Sequence, residues 1–121
     1  MKTTLQLPAP IESYLRGING RDADAFQSGF ADDAIVRDGG REIRGIMAIA
    51  DWAKHEIFGA NVSLELLDAN ESDHQTIITV KIDGTFDRTG LPDPLVMEHC
   101  FTIAQDKITS LTCRLAREKV S

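Results

Sequence analysis

Apolar residues recur with helical spacing in the first half of the chain and alternate in the second. Ile11, Tyr14, Leu15 and Ile18 stand three, four and seven residues apart, which puts them on one face of a helix. Pro8 and Pro10 open that segment, where proline is tolerated, and Asn19-Gly20 ends it. Asp22 is placed to cap a second, short helix that presents Ala25, Phe26 and Phe30. The run FADD then turns the chain into a short strand, Ala34 to Asp38. Gly39-Gly40 bends that strand, and Arg41 to Arg44 can pair back. A third helix is expected from about Ile46 to Phe58, with Ile46, Ile49, Ala50, Ala53 and Ile57 on its inner face.

From residue 62 onward the period is two. Val62, Leu64 and Leu66 share one face of a strand, and Ile78, Val80, Ile82 and Phe86 a face of the next. Residues 87–94, DRTGLPDP, form a turn-rich connection. Leu95, Met97, His99, Phe101 and Ile103 line one face of a third long strand. Gln105-Asp106-Lys107 then turns into a last strand with Leu111, Cys113 and Leu115 on one face. Helices first and consecutive antiparallel strands after them give an α+β domain, in which three helices from the N-terminal half cover the apolar face of the sheet.

A chain of 121 residues is read as one domain, residues 1–121. Its apolar share of 42% and charged share of 26% are ordinary for a globular protein. The charge does exclude partners. At net −6 and pI about 4.9, a phosphate backbone or an acidic membrane surface would be repelled, so neither nucleic acid nor membrane is an expected partner. The stretch MKTTLQLPAP has no apolar core of signal-peptide length, and no run approaches a membrane span. Cys100 and Cys113 are too few for a disulfide framework and lack metal spacing. They read as small buried thiols of a cytoplasmic protein.

Three polar residues interrupt otherwise apolar faces. Tyr14 lies on the stripe of the first helix, Asp38 is in phase with Ala34 and Val36, and His99 sits between Met97 and Phe101. A buried polar group needs a partner. Tyr14 reads as a core ring or as a hydroxyl donor. Asp is a poor strand residue, so Asp38 reads as a turn acid before two glycines or as a carboxylate held for chemistry. His99 reads as a satisfied core residue or as a catalyst. His55 and His74 read as solvated. No metal spacing, nucleophile elbow, phosphate loop or dinucleotide fingerprint is present in the sequence.

The run SYLRGINGRDADAFQSGFADDAIVRDGGREIRG resembles the start of a nuclear transport factor 2-like domain, a superfamily that includes ketosteroid isomerases and SnoaL-like polyketide cyclases. GTF at 84–86, EHCFTI at 98–103 and KITSL at 107–111 follow in the same order. The resemblance implies a cystatin-like α+β cone: a strongly curved antiparallel sheet wrapped by three helices around an apolar pocket. It further implies a homodimer through the outer sheet face, with Thr79, Cys100, Thr102 and Thr112 on or near that face. In the ketosteroid isomerases a helix-one Tyr, a strand-end Asp and a protonated Asp on a later strand form the site. Tyr14 and Asp38 match the first two, and the third falls at or near His99. Asp38 is then the base, with His99 and Tyr14 as oxyanion or acid partners, for proton abstraction beside a carbonyl, cyclisation or dehydration, without a cofactor. Trp52, Met97, Phe101, Phe30 and Phe86 are the candidate pocket-lining residues for a small apolar molecule. Alternatives of the same fold are a non-catalytic binding domain and a dimerising module. An epoxide hydrolase of the limonene type would need an Asp-Arg-Asp set, and Arg114 is in phase with Thr112 rather than Leu111.

Overall fold

The computed structural model describes residues 7–116 except 73 and 88. The first six residues of MKTTLQLPAP, Asp73 before His74, and Arg88 in the 87–94 connection lie outside the described residues. Helix α1 spans Ala9–Asn19 and has prolines at its start; the residue in the left-handed region just past its end is Arg21 (φ 59°) rather than Gly20. Helix α2 spans Ala23–Ser28 and is capped by Asp22, whose carboxylate accepts the backbone N–H of Ala25 at 3.1 Å. The two helices approach so closely that a Cβ on Gly17 would lie 2.4 Å from the backbone N of Phe26. Helix α3 spans Ile46–Ala53 and runs into a π-helical turn, Lys54–Phe58. The segment expected as one helix is therefore helical throughout but wider in its last turn, a form often found at functional sites. Its buried side is Ile49, Trp52, Ala53 and Ile57; of the residues expected there, Ile46 and Ala50 are only half-buried, and Trp52 takes a place on the inner face.

Six strands follow the order β2-β1-β6-β5-β4-β3, with β1 Phe30–Asp38, β2 Arg41–Arg44, β3 Ser63–Ser72, β4 Gln75–Asp83, β5 Leu95–Ala104 and β6 Lys107–Leu115. The sheet is antiparallel at every junction but one; β1 lies parallel to β6. β1 also starts earlier than its alternation suggests. Phe30 belongs to the strand, paired with Ile108, and a register shift separates it from Ile35. Further shifts between Leu66 and Asp68 and between Thr102 and Ile103 bend the sheet into an open cone.

The β1–β2 hairpin has a two-residue loop, Gly39-Gly40, with φ of 59° and 91° at the two positions. Two consecutive left-handed residues are what a tight hairpin with the native strand twist needs, and glycine adopts them without strain. One result is that Arg41 stands directly opposite Asp38.

The inner face of the sheet carries Val36, Ile78, Val80, Phe101 and Leu111, which pack with Ile11, Ile18, Phe26 and Ile49 of the helices into one core. Asn19 fastens α1 to β3 by two hydrogen bonds to the backbone of Leu64, donating to its carbonyl at 2.9 Å and accepting from its N–H at 2.8 Å. On the opposite face the pairings Cys100–Thr112, Thr102–Ser110 and Thr79–Glu98 group the residues expected there.

Candidate functional site

The cone holds a cavity of about 410 Å³. Ile18, Ile57, Val62, Leu64, Ile82 and Leu95 supply much of its apolar wall. Part of the polar lining comes from one row across the sheet. His99 of β5 pairs with Cys113 of β6, which pairs with Asp38 of β1. Residues in such a row point to the same side, here the side of the cavity, and all three line it. Two strand steps of about 4.8 Å separate the ends, so the Asp38 and His99 backbones stand roughly 10 Å apart across the pocket wall.

At the Asp38 end the carboxylate is half-buried, with 29% of its side chain exposed. One oxygen, Oδ2, accepts from the indole N–H of Trp52 at 3.3 Å and from Arg41 at 3.4 Å. Arg41 continues to Glu56 at 2.7 Å. Glu56 comes from the π-helical turn and also lines the cavity. The ion pairs raise the basicity of Arg41, Glu56 more than Asp38. The second oxygen, Oδ1, has no hydrogen bond among the described residues.

At the other end the environment is dry. His99 is 4% exposed, and its Nδ1 shares a 3.0 Å hydrogen bond with the hydroxyl of Tyr14, itself 1% exposed. Burial lowers the imidazole pKa to about 4, so the ring is neutral at neutral pH. Burial also raises the phenol, with smaller contributions from Cys113 and Asp38. The Cys113 thiol is pushed up by burial, then by Asp38 and Cys100. The row therefore runs from an uncharged imidazole backed by a phenol, through a thiol, to the Asp38 side chain.

Tyr14, Asp38 and His99 all reach this one cavity. Tyr14 is bound to His99 rather than standing beside it as a second free donor. Of the expected lining residues, Trp52, Met97 and Phe86 line the cavity. Phe30 and Phe101 are in the packed core, with ring centroids 6.2 Å and 5.0 Å from that of Tyr14, and hold the phenol in place from behind. Arg114 reaches the rim of the cavity and is paired with Glu98 at 2.8 Å. Cys113, Arg41 and Glu56 were not visible as site residues. Cys113 reads as one more apolar position between Leu111 and Leu115, and the other two are brought in by the hairpin and the π-helical turn. Among the described residues no group of three or more His, Cys, Asp or Glu could hold a metal ion, and no helix is long and apolar enough to cross a membrane.

A mixed sheet curved around a cavity, with helices closing the apolar side, is the nuclear transport factor 2-like, ketosteroid isomerase-like fold. Within it, residues 11–111 match the model of the SnoaL-like domain, and the chain belongs to that family. A candidate polyketide cyclase of Sinorhizobium meliloti is similar over 89% of this chain and 95% of its own, with 27% identity and a TM-score of 0.80. A candidate ketosteroid isomerase of Kribbella flavida shares the fold at 13% identity and a TM-score of 0.75, over 94% of this chain and 80% of its own. TerC, crystallised with polyporic acid, does so at 18% identity and a TM-score of 0.75, over 88% of each chain. No curated protein matches the chain in sequence.

Proposed function

We propose that the protein holds a small, largely apolar carbonyl or hydroxy compound in the cone and moves a proton on it. Oδ1 of Asp38 takes a proton from a carbon next to the carbonyl, and the electron pair moves onto the oxygen. His99 stabilises that oxygen by a hydrogen bond. Return of that proton from Asp38 to another carbon is an isomerisation; attack of the enolate carbon on a second carbonyl, with the proton passing to the new alkoxide, is a cyclisation; and expulsion of a β-hydroxyl, which takes the proton and leaves as water, is a dehydration. The observation that carries the reading is the row from His99 to Asp38: an acceptor of protons at one end of an apolar cavity and a neutral ring at the other. The S. meliloti protein, a candidate polyketide cyclase, and the K. flavida protein, a candidate ketosteroid isomerase, would carry out this kind of chemistry. The same reading takes the protein as a cytoplasmic homodimer that uses the outer sheet face, where Cys100 and Thr112 pair.

The test is turnover of carbonyl compounds that fit the cavity, wild type against Asp38→Asn. A positioned base contributes about 10²- to 10⁴-fold, so the variant should lose at least about a hundredfold. Unchanged turnover would refute the assignment. A second reading, a binding domain without chemistry, is favoured by the two donors on Oδ2 of Asp38, an arrangement that also suits a carboxylate anchoring the cavity mouth. In that case ligands bind equally to wild type and Asp38→Asn, with no product from either.

A further inference from the structure

Tyr14 and His99 are 85 residues apart in sequence and share the hydrogen bond at 3.0 Å. Which atom donates decides what the cavity offers a ligand. A phenol has one proton to give, and a buried donor without an acceptor is strongly disfavoured. The Tyr14 hydroxyl has this one hydrogen bond among the described residues, and it is 1% exposed. If Nδ1 carried the ring proton, it would donate to the phenol oxygen, and the phenol's own hydrogen would be left with nothing. The reverse leaves nothing orphaned. The phenol donates to Nδ1, and the single proton of the neutral ring lies on Nε2. That nitrogen has no hydrogen-bond partner among the described residues. Yet no buried side-chain nitrogen or oxygen among them is unsatisfied, so Nε2 keeps open surface, and the cavity is the space that His99 lines.

We propose that Tyr14 is a positioning residue that fixes His99 as an Nε2–H donor into the cavity, so that the site selects molecules bringing a lone-pair acceptor, a carbonyl or ether oxygen, to that end. The selectivity rests on the reading of the cavity as a small-molecule site; the tautomer does not. Tyr14 touches the ring behind the ligand rather than the reacting atoms. Its effect is orientation: without the phenol, both tautomers become available, and the ring can offer a lone pair where the ligand needs a proton.

Two measurements test this. In the unliganded protein, long-range ¹H–¹⁵N spectra of the imidazoles report the tautomer, with the His99 ring identified by its loss in His99→Gln. The expected result is a pyrrole-like Nε2 and a pyridine-like Nδ1 in the wild type, becoming a mixture in Tyr14→Phe. A protonated Nδ1 in the wild type overturns the proposal, whether or not the variant folds. The second measurement compares benzophenone with its methylene analogue, diphenylethylene, which has the same outline and no acceptor. Binding is followed by the fluorescence of Trp52, the sole tryptophan, which lines the cavity. The ketone should bind up to about tenfold more tightly, and Tyr14→Phe should shrink that ratio. An equal ratio in wild type and variant overturns the role given to Tyr14. If neither compound binds, the small-molecule reading of the cavity falls and the selectivity with it, while the ring spectrum still decides the tautomer.

Discussion

His99 should make this protein less stable in acid. The ring is buried and neutral in the fold, with its pKa lowered from 6.5 to about 4. An unfolded chain regains the ordinary value. Between those two pH values the unfolded state therefore binds a proton that the folded state does not, and stability falls as pH falls. The contribution of the neutral ring is fully present above about pH 6.5, is lost progressively below it, and is gone near pH 4. The displacement corresponds to about 3 kcal/mol, at about 1.4 kcal/mol per pH unit in the middle of the window. Against a total of about 5–15 kcal/mol for a domain of ordinary stability, that loss is measurable in urea midpoints. Carboxylates also titrate toward the acid end, so the measurement is a difference. Wild type and His99→Gln, which keeps an acceptor for Tyr14, are unfolded in urea at a series of pH values from neutral to about 4. The wild type should lose roughly 3 kcal/mol more than the variant across that range. Parallel stability curves for the two proteins would show that His99 is either solvated or already charged in the fold, and the neutral-donor picture of the site would go with it.

Two further outcomes test the frame around the site. Gly17→Ala forces a methyl to within 2.4 Å of the Phe26 backbone, so α1 and α2 must separate; a cost of about 1–3 kcal/mol is expected in chemical denaturation. An unchanged midpoint would mean that the helix contact is looser than it looks. Trp52→Phe keeps the apolar bulk but removes the N–H that holds Asp38. It should cost no more than about 1.5 kcal/mol in stability while turnover, or failing that ligand affinity, drops severalfold; a fall in thermal midpoint with no functional effect would make Trp52 a packing residue only.

Much of the framework was legible because it depends on local periodicity. The stripe Ile11, Tyr14, Ile18 and the alternation through Leu95, His99 and Phe101 are buried in the core as their spacing requires, and Met97 packs against it half-buried. Asp38 could be placed at the cavity because it continues the phase of Ala34 and Val36 to the strand end. Phe30 could not be placed, since its spacing from Phe26 suits a helix and only its pairing with Ile108 draws it into β1. The Tyr14–His99 bond is invisible in one dimension for the same reason: nothing local joins two residues that meet only when α1 lies on β5. Arg41 enters through the hairpin geometry, Glu56 through a π-helical turn with no reliable sequence signal, and Cys113 is disguised by its resemblance to the apolar residues on either side.

The strand order has a consequence for how the molecule comes into being. β6 is the last strand of the described chain, yet it lies in the interior of the sheet, between β1 and β5. During synthesis, α1, α2 and the β1–β2 hairpin emerge with no strand to join them to β3, β4 and β5, so two partial sheets with unpaired edges wait for residues 107–115. Closing them requires contacts across some seventy residues, as between Val36 and Leu111, which makes folding slow and late. The row of His99, Cys113 and Asp38 is assembled in that same final event, so no nascent chain lacking β6 carries the complete site.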